Sequence, residues 1–292
     1  MNARKTLLTI LFVFSVFNSA AFAKNAQRVI SLSPSITEVL FAIGAGDQVA
    51  AVTDFCTYPK QALTKPKIGG MLNSSAESII ALKPDLVVFQ PGKSNVKQLA
   101  KKLNIEYIEA SFQDLNSIYQ SIQEIGNAVG KEKEAKKLIT DIKSKLRSYQ
   151  ERLKNVKPKS TLLILGDSRD PLRDLYAVGK KTFLDELLTL SGGENVLDKT
   201  LSQYPKISRE YIISRSPEVV IIAGPNSDVT EKEISQNLNA WRVLGSVRAV
   251  QNKNIHIISE DYILIPGPRL VNIVDMFYQA IHSSKLRAST PQ

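Results

Sequence analysis

Two glutamates with near-identical surroundings are the residues most suggestive of a shared task. Glu77 opens the stretch ESIIALKPDLVVF, and Glu210 opens EYIISRSPEVVII, 133 residues further on. Each copy carries Ile at its third and fourth positions, Pro at the eighth, an acid at the ninth, and then an apolar run. A glutamate in a first helical turn complements the helix macrodipole, and helix–proline–strand units occur throughout α/β proteins. The pairing therefore has a purely structural reading beside a functional one. Ser168, in TLLILGDSRD, is the one candidate nucleophile, since Gly166-Asp167-Ser168 follows an apolar run that reads as a strand. A serine of that kind needs a histidine to take its proton and an aspartate to orient the histidine. Three residues before His256 stands Lys253, and three before His282 stands Gln279, so neither histidine has its aspartate. The two histidines also lack a second His or a Cys at ligand spacing, and Cys56 is the only cysteine. No metal site, multi-Cys cluster or internal disulfide is expected. VGKKT lacks the upstream glycine of a phosphate loop, GAGDQV lacks the third glycine of a dinucleotide fingerprint, and there is no GxSxG elbow.

The elements that would position these residues alternate. RVISLS reads as a buried strand, and the helix after it carries a capping signature from Ser35 to Glu38. VAAVTD, DLVVF and IEYIEA read as further strands, with helices between and after them, one of them opened by Ser74 to Glu77 and stopped by Pro84. The strands are apolar on both faces, which predicts a mostly parallel sheet covered by helices on both sides. From Lys131 to Val156 there is no Gly or Pro, and Ala135, Leu138, Ile139, Ile142, Leu146, Tyr149 and Leu153 recur at helical spacing. That is one helix of roughly 39 Å at 1.5 Å per residue, ended by Pro158. Strands and helices then resume through TLLILG, LYAVG, EVVIIAG and NIHIIS to a final helix, PRLVNIVDMFYQAIHS. The expected fold is α/β: two doubly wound lobes with mostly parallel sheets, over 24–130 and 157–292, bridged by a single long helix over 131–156.

Composition sets the context. The chain has 292 residues, 43% hydrophobic and 23% charged, enough to bury a real core. Residues 1–23 stand apart: Arg4 and Lys5, then TLLTILFVFSVF, then Ala21-Phe22-Ala23. This is the pattern of a cleavable signal peptide, with the mature chain starting at Lys24. No Cys follows the apolar run directly, so a lipoprotein signal is not expected. The net charge of +10 is spread out, and its densest run, KEKEAKKLITDIKSKLRSYQERLK, mixes acids on one helix. That reads as a solvated helix face and predicts no nucleic-acid partner. A two-lobed exported chain without a reactive centre points to small-ligand binding between the lobes, not to catalysis.

Specific motifs sharpen this. RVISLSPSITEVLFAIGAGDQVAAVTDFCTYP, KPKIGGMLNSSAESIIALKPDLVV, the long helix, ISREYIISRSPEVVII and PGPRLV, in that order, resemble the periplasmic binding proteins of ABC importers for iron complexes and vitamin B12. The resemblance covers essentially all of the chain after residue 23. It implies two α/β lobes bridged by one rigid helix, little lobe motion on binding, no catalysis and no cofactor of the protein's own. It implies that Glu77 and Glu210, one on each lobe, dock into arginine pockets on the two copies of a transmembrane permease. The protein itself is expected to be a periplasmic monomer. The B12-binding branch is the most similar, and its corrin cradle matches Phe55, Met71, Gln90, Tyr176, Tyr204 and Tyr262 here. Phe55, Met71, Tyr176 and Tyr204 are the expected walls, and Gln90, Asp261 and Tyr262 the expected partners for an amide rim. Met71 and Gln90 depart from the branch's aromatic pattern. The heme-binding branch has a tyrosine in the segment matching IGGMLNSS, which has none, so heme is disfavoured. A ferric siderophore is the alternative ligand, for which Arg169, Arg173 and Arg269 are the candidate cations. An exported Gly-Asp-Ser esterase using Ser168 is the alternative of another class.

Overall fold

Short strands, most of them apolar, alternate with helices to build the first half of the molecule. The computed structural model describes residues 25–71, 73–166, 172–225, 230–282 and 288–289. The expected signal peptide at 1–23, and Ser168 and Arg169, lie outside the described residues. β1 (Val29–Ser31), β2 (Val49–Val52), β3 (Leu86–Phe89) and β4 (Glu106–Glu109) pair in the order β2-β1-β3-β4, every pair parallel. α1 (Pro34–Ala42), α2 (Ala76–Ala81), α3 (Ser94–Lys102) and α4 (Leu115–Ala128) alternate with them. β4 departs from the two-faced apolar pattern, with Glu106 and Glu109 exposed. It is the sheet edge, where charge discourages pairing with another chain.

Two helix starts differ from the sequence reading. α1 is capped by Ser33, whose side chain accepts from the Ile36 amide, with Pro34 in the first turn. Glu38 therefore does no capping and turns into the protein. α2 is capped by Ser75, not Ser74, because the Ser75 hydroxyl is the one that accepts from the Ser78 amide.

α5 (Glu132–Leu153) is the long helix, a few residues shorter than the expected 131–156. Ala135, Ile142, Leu146 and Tyr149 form its buried stripe. Gly126 on α4 allows its start to come close, since a Cβ there would lie 2.4 Å from the Ala135 Cβ. β5 (Lys159–Leu165), β6 (Tyr176–Ala177), β7 (Gly193–Asn195), β8 (Val219–Gly224), β9 (Ile255–Ser259) and β10 (Ala288–Ser289) form the second sheet. Its order is β10-β9-β8-β5-β6, with β7 beside the first half of β5. Among the described strands of this sheet, only the β5–β6 pair is antiparallel. α6 (Phe183–Leu190), α7 (Arg209–Arg215), α8 (Glu231–Ala240), α9 (Arg248–Gln251) and α10 (Leu270–His282) cover it.

The chain is thus two α/β lobes with the long helix between them, as the sequence predicts, but the helix is not their only link. One continuous apolar core runs from α1 and α4 through α5 to α6 and α10. Tyr149 of α5 packs against Tyr278 of α10 with ring centres 5.3 Å apart. The Phe183 amide donates to the Gln113 carbonyl at 2.7 Å, and the Leu115 amide donates to the Glu186 carboxylate at 2.7 Å. These bonds tie the start of α4 directly to α6.

Candidate functional site

In α/β sheets ligands bind beyond the carboxyl ends of the strands, and the segments leaving those ends converge between the two lobes. Pro34 and Ser35 follow β1, Gln90 and Pro91 follow β3, and Ser111, Phe112 and Gln113 follow β4. Across the gap stand Phe183 at the start of α6, Gln203 and Tyr204, and Leu264, Ile265 and Pro266 after β9. With Met71 they enclose an open cleft of about 420 Å³. Among the described residues that line it, none carries a charge. Three glutamines and two serines offer amide and hydroxyl groups, and the rest is apolar or aromatic.

Backbone pairing fixes the wall that carries Tyr204. The Ala177 amide donates to the Pro205 carbonyl at 3.0 Å, and the Gly179 amide to the Gln203 carbonyl at 2.7 Å. Gly179 is required for that approach, because a Cβ would meet the Ser202 carbonyl oxygen at 2.3 Å. Tyr204 remains half-exposed at the cleft, and burial raises its phenol above the usual range, so it stays a neutral hydroxyl. On the facing lobe, the Lys67 ammonium donates to the carbonyls of Thr53, Cys56 and Ala62 and gathers the loop that carries Phe55. Phe55 is 61% exposed, with its ring beside Gly70, next to Met71.

The structure brings Met71, Gln90 and Tyr204 together in the cleft. Phe55 borders Gly70 on the same side, and Tyr176 is exposed on β6, where its backbone bridges to Lys206. Asp261 and Tyr262 belong to a different constellation around Arg269. The Arg269 guanidinium donates to both Glu38 oxygens, at 3.0 and 2.5 Å, and to Asp261 at 2.8 Å. It is stacked between the Tyr58 and Tyr262 rings, 4.0 and 4.6 Å from their centres. The Glu38 side chain is only 2% exposed and that of Arg269 12%. Burial raises the Glu38 carboxyl above its usual range, against the pull of Arg269. Burial, reinforced by Glu260, pushes the Tyr262 phenol up to about 12, so it too stays neutral. Arg269 thus joins α1 of one lobe to the entrance of α10 on the other, and Gly267 packs against Ser35 and Glu38 beside it. Arg173, the other described candidate cation, is exposed and beside Asp174.

Glu77 and Glu210 lie outside the cleft, both exposed, each at the second position of a short helix. Ser75 caps α2 and Ser208 caps α7 in the same way, each accepting from the amide three residues on. The Glu77 carboxylate is held below the usual glutamate range by its own backbone amide and by Ser75. The Glu210 carboxylate is held down by Ser208 and its own amide. Both are anions on exposed helix starts of closely matched local build.

The sequence model of the Periplasmic binding protein family matches residues 29–262. The chain belongs to that family. Its proteins bind substrates and are not enzymes, so this binding protein is not an enzyme and Ser168 is no catalytic nucleophile. It is 31% identical over 267 residues to the uncharacterized ABC transporter substrate-binding lipoprotein YvrC of Bacillus subtilis, covering 89% of this chain and 81% of that one. It is 28% identical over 263 residues to the vitamin B12-binding protein of Vibrio campbellii, covering 89% and 91%. The crystal structure of a periplasmic heme-binding protein from Pseudomonas aeruginosa superposes with a TM-score of 0.75 at 23% identity, covering 91% and 96%. ABC transporter substrate-binding proteins carry small ligands and work with membrane permease components. Among the described residues no helix is long and apolar enough to cross a membrane.

Several cleft residues carry no sequence motif. Ser111, Gln113, Phe183 and Gln203 sit in connections that look like ordinary loops or helix starts. The available signal was positional, since most of the lining residues follow the carboxyl end of a strand or begin a helix.

Proposed function

We propose that this protein captures a corrinoid of the vitamin B12 type in the interlobe cleft and delivers it to an inner-membrane ABC importer. The observation that carries this reading is the lining: uncharged, rich in glutamine and serine, with aromatic and apolar walls. A corrin presents a flat apolar face and an amide rim. Apolar walls suit the face, and glutamine can both donate to and accept from an amide. An anionic ferric siderophore calls for cations, and Arg269 is already engaged by Glu38 and Asp261. The relatives named as vitamin B12-binding proteins support the same choice.

The proposal includes export. Residues 1–23 act as a cleaved signal peptide, and the periplasmic chain from Lys24 works as a monomer. Its lobes span 24–130 and 157–292, joined through 131–156. Glu77 and Glu210 meet two equivalent copies of the permease, one acid per lobe, because a two-fold partner has two equivalent sites. Carboxylate–guanidinium pairs there would fix orientation as well as attract.

The cleft contacts are tested by replacing Gln90 and Gln203 with leucine, which keeps bulk and removes the amides. Losing two hydrogen bonds of about 0.5–1.5 kcal/mol each predicts a roughly 10- to 100-fold weaker affinity for cyanocobalamin. Calorimetry checks the affinity, and a thermal melt checks that the fold is intact. Unchanged cyanocobalamin affinity in a folded double variant would remove these amides from the site.

A further inference from the structure

The repeated unit that carries the two acids also carries a matched apolar residue that the fold leaves about half-exposed. In each copy two isoleucines follow the glutamate. The first is buried, Ile79 at 2% exposure and Ile212 at 0%. The second faces outward, Ile80 at 47% and Ile213 at 44%. Ile80 lies three residues after Glu77, and Ile213 three after Glu210. On a helix that spacing makes neighbours on one face. Each chain then turns through a left-handed residue, Lys83 at φ 45° and Ser216 at φ 39°, directly before Pro84 and Pro217. A single exposed isoleucine is ordinary on a protein surface. Here the exposure recurs at the same step of both copies, beside the same anion, with the same cap before it and the same turn after it.

We propose that Ile80 and Ile213 are apolar anchors. With Glu77 and Glu210 they make two equivalent patches for one two-fold symmetric partner, each of whose sites sets a cationic group beside an apolar socket. This rests on the reading above that the acids face an importer permease. The anion orients the contact, and the isoleucine supplies apolar area that leaves water on docking. Polar replacement at an anchor weakens the complex without changing the charge pattern.

The test measures docking of the purified protein to the importer permease dimer in nanodiscs. Five proteins are compared: wild type, Ile80→Ser alone, Ile80→Ser/Ile213→Ser, Ile80→Val/Ile213→Val, and Glu77→Ala/Glu210→Ala. The serine double variant is expected to dock about 10-fold more weakly or worse, from partial loss of the burial of two isoleucines. Its residual docking should keep the wild-type salt dependence, and the valine variant should retain most of the affinity. The alanine double variant should lose the salt-sensitive part. Wild-type docking by the serine variant, with loss in the alanine variant, overturns the anchors and leaves the acids standing. Wild-type docking by the alanine variant overturns the permease reading itself. A defect from Ile80→Ser alone equal to that of the double variant overturns the two-fold equivalence.

Discussion

Replacing Arg269 with methionine is expected to destabilise the protein by about 3–5 kcal/mol, the cost of breaking a buried ion pair by removing one partner. The guanidinium holds Glu38 through two bonds and Asp261 through a third, between the faces of Tyr58 and Tyr262. Without it, Glu38 is a buried carboxylate with no compensating charge, and it takes up a proton. Its folded-state pKa, already raised by burial, rises further. The folded variant then binds more protons than the unfolded chain at neutral pH, so its stability falls as pH rises. The deficit relative to wild type should therefore be larger at pH 8 than at pH 5. Adding Glu38→Leu should recover much of the loss, because an apolar pair can replace a buried ion pair at little cost. Asp261 is half-exposed and needs no such rescue. Urea unfolding at the two pH values reads all three proteins. A loss below about 1 kcal/mol would place the pair among the weak, solvated ones.

The double replacement Glu77→Ala plus Glu210→Ala is expected to weaken permease docking strongly, removing its salt-sensitive part, and leave ligand affinity unchanged. Neither acid is among the cleft-lining residues, so the cargo should not register the change. Truncating one partner of a desolvated charge pair weakens a complex by roughly 30-fold or more, and two sites compound it. The pH dependence carries a further sign. Both carboxyls are held below the usual glutamate range, Glu77 by its own amide and Ser75, and Glu210 by Ser208 and its own amide. The anions, and with them docking, should therefore fade at a lower pH than an ordinary glutamate would set. The capping contribution to α2 and α7 follows the same course, present above the unfolded-state value and lost as pH falls through the folded one. A double variant that loses cyanocobalamin binding would assign the acids another role.

Much of this architecture can be read from the chain because it rests on local pattern. β1, β3, β5 and β8 are near-continuous apolar runs, as strands buried on both faces must be. α5 announces itself by periodicity and by the lack of Gly and Pro. The matched acids follow from repetition alone. The Arg269 clamp does not, because Glu38 and Arg269 are 231 residues apart and no spacing rule links them. Glu38 even imitates a capping residue, and only the third dimension shows where its carboxylate goes. β7 is three residues long, and α8 is largely polar, so neither gives a strong periodic signal. In the cleft, Tyr204 and Gln90 are accessible to sequence comparison. Gln113 and Phe183 owe their place to the bond between their own backbones across the lobes.

The most direct test is a calorimetric titration of residues 24–292 with cyanocobalamin, beside a ferric hydroxamate and a ferric catecholate. The expected result is submicromolar binding of cyanocobalamin alone, with little salt dependence, since the described lining of the cleft carries no charge. Binding of a ferric chelate alone, weakening as salt is raised, would contradict the corrinoid reading and move recognition to cations.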